Sequence, residues 1–197
     1  MNAENNVREV KIGVYGEEAS FSHAAALKYA ADEDLSVELQ HLVEMASLFE
    51  ALMQGTIDLA LLPVINQNGG VVMPAFKAMG EYEFIPTHGV KMAVIQCLIV
   101  APGLAREEIT QITSHPQAFK QCKDYLTREF PNAKLVEWND TASAARDLAN
   151  GKIPKTSAVL ASAQAAKMYN LELMEESVED NQENFTTFIV LKSKNSQ

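Results

Sequence analysis

The chain has 197 residues, of which 47% are hydrophobic and 21% charged. This composition excludes a disordered chain, and the length suits one compact domain or two small lobes. Asp and Glu outnumber Lys and Arg by 26 to 16, which gives a net charge of −10 and excludes nucleic acid and anionic membranes as expected partners.

The sequence indicates a cytoplasmic protein. It contains no apolar run of the ~18 residues that a membrane span requires, and its polar start, residues 1–9, predicts no export. Cys97 and Cys122 lie far apart in apolar segments, which favours two reduced, buried thiols over a disulfide or a nucleophile. No Cys and His residues have the spacing of metal ligands, so we expect no metal.

Short β-rich runs alternate with helical patterns along the chain, and this alternation predicts an α/β protein with mostly parallel sheets. The predicted strands are Val10–Tyr15, Val37–Val43, Leu59–Val64, Val90–Val100, Ile109–Thr113, Lys134–Trp138, Ala158–Ala161, Glu172–Glu175 and Thr187–Leu191. The predicted helices are Ser20–Ala31, Ala46–Gln54, Val72–Met79, Pro116–Glu129, Thr141–Asn150 and Ala163–Tyr169.

Two segments are candidates for crossings between lobes: the long strand that follows Thr87 and the charge-rich loop at 175–184. We therefore expect residues 1–88 and 178–197 to form one lobe and residues 89–177 the other.

Several predicted strands end in a short polar turn that opens a helix. These turns include Glu17–Ser20, Asn66–Gly70, Ser114–Pro116 and Asn139–Thr141. In α/β sheets such turns gather at the carboxyl edge of the strands, where free backbone N–H groups can hold an anion. For any single turn ordinary helix capping is the favoured explanation, so the expectation of a carboxylate-binding cleft depends on the turns converging.

The same turns, in the same order, resemble the motifs of the prephenate dehydratase catalytic domain. The segment Ser114–Cys122 matches the family's Ser-His-Pro-x-x-x-x-Gln-Cys motif fully. Gly16–His23 resembles the family's Gly-Pro-x-Gly-Thr-Phe-Ser-His motif, with Glu17 and Ala19 at the positions of its proline and second glycine. Pro63–Gly70, Asp140–Ala145 and Asn184–Phe188 resemble three further motifs. The resemblance extends over almost the whole chain.

The resemblance implies a two-lobed α/β fold like that of type II periplasmic binding proteins, with a central cleft. It also implies a cofactor-free lyase, homo-oligomeric, that converts the dicarboxylate prephenate to phenylpyruvate in phenylalanine biosynthesis. Thr186 matches the family's candidate proton donor. The residues that the resemblance places at the substrate are Ser20, Phe21, Asn66, Gln67, Gly70, Ser114, His115, Thr141, Ala142, Thr187 and Phe188.

The motifs also depart from the family pattern. Thr187 replaces an arginine, a bidentate carboxylate ligand by geometry, and Ile65 replaces a glutamate. Gln67 replaces a serine, Ser20 a threonine, and Gln96 stands where many members have histidine.

Two interpretations of these departures remain open. Another cation can substitute for the arginine, the candidates being Lys11, Lys91 and Arg146. Alternatively, the cleft serves a related reaction, such as decarboxylation without loss of the ring hydroxyl, or it binds a small molecule without turnover. The sequence leaves no length for the family's phenylalanine-sensing regulatory domain, so feedback through such a domain is not expected.

Overall fold

The computed structural model describes residues 9–194. Its strands are β1 Val10–Tyr15, β2 Val37–Leu42, β3 Leu59–Asn66, β4 Gly70–Val71, β5 Phe84–Ala93, β6 Cys97–Val100, β7 Gln111–Ser114, β8 Lys134–Glu137, β9 Ser157–Ala161, β10 Glu172–Glu175 and β11 Phe185–Ser193. Its α-helices are α1 Phe21–Asp32, α2 Met45–Gln54, α3 Met73–Met79, α4 Pro116–Gln121, α5 Lys123–Glu129, α6 Thr141–Ala149 and α7 Ala163–Met168.

The first sheet has the strand order β2-β1-β3-β11-β5, with β4 paired to β3. Ile12 and Val14 of β1 pack against α1 on one face, whereas Leu62 of β3 packs against α2 and α3 on the other. A helical layer on each face explains why β1 and β3 are rich in Ile, Leu and Val. We call this sheet and its helices the first lobe.

The second sheet has the strand order β10-β6-β9-β7-β8 and forms the core of the second lobe. Successive residues of β6 point to opposite faces. Leu98 therefore packs in the cluster formed with α4 and α5, and Ile99 packs in the cluster formed with α6 and α7. The predicted two-lobed α/β architecture is confirmed.

The segment Val90–Val100, predicted as one strand, is divided between the two sheets. β5 ends at Ala93 in the first sheet, and β6 begins at Cys97 in the second. The chain therefore crosses at 94–96, beyond the predicted boundary at residue 88, and returns before β11. The predicted lobe limits 1 and 197 lie outside the described residues.

The strands that follow these crossings run antiparallel to their neighbours. β11 runs antiparallel to β3 and β5, and β6 runs antiparallel to β9 and β10. The prediction of mostly parallel sheets is therefore wrong, because β6 and β11, the strands that follow the two crossings, enter their sheets from the opposite end.

The predicted helix Pro116–Glu129 is divided at Cys122, whose φ of −115° and ψ of 22° lie outside the helical region. Asp180 accepts hydrogen bonds from the backbone N–H groups of Asp124 and Tyr125, both at 2.9 Å, and so caps α5. The apolar face continues across this division, since Cys122, Leu126 and Phe130 lie in one core cluster.

Candidate active site

A cavity of about 550 Å³ lies between the lobes and is lined by residues of both. Its wall includes the turn after β1, the end of β3, the start of β11, and the beginnings of α4 and α6. Of the residues predicted at the substrate, those that lie on this wall are Ser20, Phe21, Asn66, His115, Thr141, Thr186 and Phe188. The polar turns of the sequence therefore converge on one cleft.

Five predicted residues lie off the wall. Ser114 is fully buried and donates a hydrogen bond to the Leu160 carbonyl at 2.7 Å, so it joins β7 to β9. Ala142 is buried in the first turn of α6.

The other three belong to the first lobe. Thr187 follows Thr186 on β11, and alternating strand geometry directs the two side chains to opposite faces. Gln67 and Gly70 belong to the exposed hairpin that joins β3 to β4.

Asn66 and Thr186 form the most highly connected corner of the wall. The Asn66 side-chain Nδ2 donates to the Thr186 Oγ1 and to the Asn184 Oδ1, each at 2.8 Å. The Asn66 Oδ1 accepts from the backbone N–H of Gly69 at 2.6 Å and of Asn68 at 3.1 Å. Because Thr186 is the acceptor of the bond from Asn66, its own hydroxyl hydrogen stays available to donate.

The turn between β1 and α1 supplies another part of the wall and has a different construction. Gly16 has φ 123° and Ala19 has φ 64°, so the turn needs left-handed backbone at a residue that is not glycine. Side chains of the second lobe hold the turn: Ser162 donates to the Ala19 carbonyl at 3.0 Å, and Tyr169 donates to the Glu18 carbonyl at 3.4 Å. These contacts stabilise a backbone conformation that alanine adopts at a cost.

The helix beginnings meet at the cavity, but each is capped by its own side chain. Ser20 accepts from the His23 N–H, His115 from the Gln117 N–H, and Asp140 from the Ser143 N–H. The carboxylate of Asp140 already provides the negative charge that the beginning of α6 favours. Backbone amides alone are therefore a weaker carboxylate receptor than the sequence suggested.

Gln96 lies at the crossing between the sheets and on the cavity wall, with only 2% of its surface exposed. Its Nε2 donates to the Gln121 Oε1 at 3.0 Å, and its backbone N–H donates to the Glu179 Oε2 at 2.8 Å. The Gln96 Oε1 is buried without a hydrogen-bond partner in the protein. A buried acceptor of this kind favours a ligand or a water that donates to it.

Sequence reasoning missed several wall residues. Gln121 belongs to the intact Ser-His-Pro motif, and that motif was the signal for it. Glu17 and Asp140 carry no such signal, because Glu17 stands where the family motif has a proline and Asp is a common helix cap. Within residues 9–194, the cavity wall contains the carboxylates of Glu17 and Asp140 and no Lys or Arg.

Titratable groups outside the wall have altered pKa values. Burial, followed by the proximity of His41, lowers the pKa of His23, and burial lowers that of His41. Their nitrogens lie 2.8 Å apart, so one ring donates to the other. Burial raises the pKa of Cys97 to about 11 and that of Cys122 further, and the structure records both as free, buried cysteines.

Residues 9–194 contain neither a group of side chains suited to a metal ion nor a helix suited to a membrane span. No group of three or more His, Cys, Asp or Glu side chains in this part of the chain is arranged to hold a metal ion. None of the described helices combines the length and the apolar character needed to cross a bilayer.

Comparison with known proteins identifies the family. The family model described as prephenate dehydratase matches residues 12–196. Arogenate dehydratase 3 of Arabidopsis thaliana is 36% identical over 143 residues, which are 73% of this chain and 34% of that protein. The bifunctional chorismate mutase/prephenate dehydratase of Escherichia coli K12 is 28% identical over 96% of this chain and 48% of its own length.

A solved structure agrees with these matches. Prephenate dehydratase from Arthrobacter aurescens, crystallised with L-Phe, superposes with a TM-score of 0.86 at 23% identity, over 95% of this chain and 61% of that one. The chain spans half or less of the length of these two curated relatives. With a family model matched over nearly its whole length and a fold that superposes on a known member, the chain belongs to the prephenate dehydratase family.

Proposed function

We propose that this chain is a lyase that removes carbon dioxide and water from prephenate and yields phenylpyruvate, a step of phenylalanine biosynthesis. The observation that carries the proposal is the Thr186 hydroxyl, which accepts a hydrogen bond from Asn66 and keeps its proton for the cavity. The match of the chain to the prephenate dehydratase family supports the same reaction.

The chemistry needs little from the protein because aromatisation of the ring drives it. The bond between the ring and its carboxylate breaks, its electron pair enters the ring, and the ring C–O bond breaks at the opposite carbon. The leaving oxygen takes up a proton and departs as water. We propose that Thr186 donates a hydrogen bond to this oxygen and that solvent restores any proton it transfers.

The direct test is the formation of phenylpyruvate from prephenate, followed by its ultraviolet absorbance. Enzyme-dependent growth of this signal supports the proposal. No product at high enzyme concentration, with a folded protein by circular dichroism, contradicts it.

Arogenate is the second candidate substrate, and the buried acceptor of Gln96 favours it. Arogenate has an ammonium group where prephenate has a keto group, so it can donate hydrogen bonds that prephenate cannot. The carboxylate of Asp140 on the wall favours a positive group in the same way. Phenylalanine would then be the product.

Competition between the two substrates tests this candidate. If the ammonium group uses Gln96, kcat/KM is higher for arogenate than for prephenate, and Gln96→Leu reduces that ratio. Asp140→Asn keeps the helix cap while removing the charge, and it should reduce the ratio as well. Glu137→Gln, an exposed acid outside the wall, is the matched control.

Two other activities fit the same cleft. A prephenate decarboxylase would retain the ring hydroxyl, which product mass distinguishes. A binding module would bind these acids without turnover, and calorimetry combined with the absorbance assay would detect it. The proton-donating arrangement of Thr186 supports the dehydratase over both.

We also propose a cytoplasmic location and a homo-oligomer. Two buried, free cysteines support a reducing compartment. Ile65, Val71, Met73 and Phe76 are large apolar side chains exposed around β4 and α3, and they support a subunit interface there. Light scattering of the wild type and Phe76→Glu tests the interface: a smaller particle for the variant supports it, and equal sizes contradict it.

A further inference from the structure

An ion pair joins the two lobes beside the candidate active site. Glu17 lies in the turn after β1 and on the cavity wall, and Arg146 lies on α6 of the second lobe. The Arg146 Nη1 donates to the Glu17 Oε2. Both side chains are mostly shielded, with exposed fractions of 35% for Arg146 and 24% for Glu17.

The other two candidate cations from the sequence are engaged elsewhere. Lys11 pairs with Glu38 at 3.0 Å, and more than half of each side chain is exposed. Lys91 lies 4.5 Å from the centre of the Phe185 ring. Of these three cations, only Arg146 contacts a residue of the cavity wall.

The orientation of Arg146 does not depend on Glu17. The Arg146 Nε donates to the Asp147 Oδ1 at 3.3 Å. Asp147 is 5% exposed and also accepts from Lys152 at 3.1 Å and from the Trp138 Nε1 at 3.3 Å. Burial alone raises the pKa of Asp147, but the hydrogen bonds from Lys152 and Arg146 outweigh it, so the pKa is lowered and the carboxylate stays charged. A fixed Asp147 therefore anchors one edge of the guanidinium.

The carboxylate of Glu17 uses the edge of Arg146 that remains. A guanidinium has five donors in a planar fork that matches a carboxylate. Arg146 does not itself line the cavity, but the carboxylate that it binds belongs to a residue that does, so the guanidinium lies one residue away from the cavity.

We propose that Arg146 binds the side-chain carboxylate of the substrate, which the reaction keeps, and that Glu17 is its internal competitor. This proposal rests on the proposed function, because the substrate supplies the carboxylate. Arg146 then has the carboxylate-binding role that, in the family pattern, belongs to the arginine replaced here by Thr187. Glu17 then sets the affinity for the substrate, since a bound substrate must displace the Glu17 carboxylate from Arg146.

A purely structural ion pair between the lobes is the competing explanation. The turn is already held by Ser162 and Tyr169 through the Ala19 and Glu18 carbonyls, so Glu17 is not its only attachment. The two explanations predict different effects when each partner is removed. If the pair only holds the lobes together, removal of either partner loosens the cleft in the same way; if the partners compete, the two removals act in opposite directions.

The test measures KM and kcat of Glu17→Gln and Arg146→Gln with prephenate and with arogenate. Arg146→Gln should raise KM about ten- to hundredfold, because it removes a charge-assisted hydrogen bond. Glu17→Gln should lower KM about threefold or more, because glutamine competes weakly for the guanidinium. Both should leave kcat nearly unchanged, since the carboxylate is bound equally in the ground state and the transition state.

Matched controls remove a charge nearby without touching the wall. They are Glu18→Gln in the same turn and Lys155→Gln, an exposed cation of the second lobe. Both should leave KM within about twofold. A rise in KM for both Glu17→Gln and Arg146→Gln overturns the competition and supports a structural pair.

A binding measurement separates this proposal from the proposed function. Calorimetry with phenylpyruvate, a monocarboxylate, reports on Arg146 without turnover. If the two variants shift the dissociation constant of phenylpyruvate in opposite directions and neither prephenate nor arogenate is turned over, the lyase activity is refuted and the role of Arg146 is supported. A wild-type protein that binds none of these three acids overturns both proposals.

Discussion

The corner around Asn66 and the turn from Gly16 to Ser20 are two parts of one cavity wall, and they are built differently. The corner is held within the first lobe by side-chain amides that contact Thr186 and Asn184. The turn is held by side chains of the second lobe.

The two parts also differ in their relation to the family pattern. Asn66, Asn184 and Thr186 match it, whereas Glu17 and Ala19 replace a proline and a glycine. The difference indicates that the part proposed to act on the leaving oxygen is kept and that the part proposed to recognise carboxylates is changed.

The largest expected effect comes from breaking the corner at Thr186. Thr186→Val keeps the shape and removes the hydroxyl, so kcat should fall about 10²- to 10³-fold while KM changes little. Steady-state kinetics with prephenate and arogenate measures this. Thr186→Ser restores the hydroxyl and should stay within about tenfold of wild type; equal losses for Val and Ser would remove the proposed role.

Asn66→Asp tests the same corner, because it replaces the amide group that donates to Thr186 with an oxygen that can only accept. The carboxylate can still accept from the Gly69 N–H, but it cannot donate to Thr186, so the threonine hydroxyl turns towards it. The proton is then lost to the cavity, and kcat should fall about 10²-fold.

A matched substitution in the same turn controls for local damage. Asn68→Ala lies outside the cavity wall and should keep kcat near the wild-type value. An Asn66→Asp enzyme as active as wild type would contradict the assigned direction of the hydrogen bond.

Ser162→Ala tests the attachment of the turn to the second lobe. It removes a helix cap on α7 and the bond to the Ala19 carbonyl, so the free energy of unfolding should fall by about 1–2 kcal/mol. Urea denaturation measures the change. Ser157→Ala is the matched control, because the buried Ser157 Oγ has no partner and its removal should cost little; equal losses would mean that the Ser162 contacts contribute nothing.

The smallest expected effect concerns His23, in the first turn of α1, and its partner His41 on β2. Both pKa values are lowered in the folded state, so the unfolded chain binds more protons, and stability falls as the pH drops below about 6.5. Urea denaturation at pH 7.5 and pH 5.5 should show this loss, and His41→Gln should reduce it. The charged groups acting on the pair include Glu18, whose charge opposes the shift. A pH dependence that His41→Gln leaves unchanged would assign the loss to other groups.

Much of the fold followed from local patterns in the sequence. The strand Val10–Tyr15 has the predicted limits, and the helix that ends before Gly55 was predicted to within one residue. These elements are specified by apolar periodicity and by capping residues. The division of Val90–Val100 could not be predicted, because nothing in an apolar run tells two sheets from one.

The site was predictable in part for a similar reason. Ser20, Asn66 and His115 lie on the wall as the turn pattern suggested, since turns after strands meet at one sheet edge. Gln96 has no local turn signal and reaches the wall only because the chain crosses there. The pairing of Glu17 with Arg146 joins residues 129 positions apart, which no spacing rule indicates.

The fate of the ring oxygen tests the central claim most directly. Prephenate labelled with ¹⁸O in its ring hydroxyl can be incubated with the enzyme and the product analysed by mass spectrometry. The account predicts an aromatic product without the label and release of the label as water. A product that retains the label would contradict it.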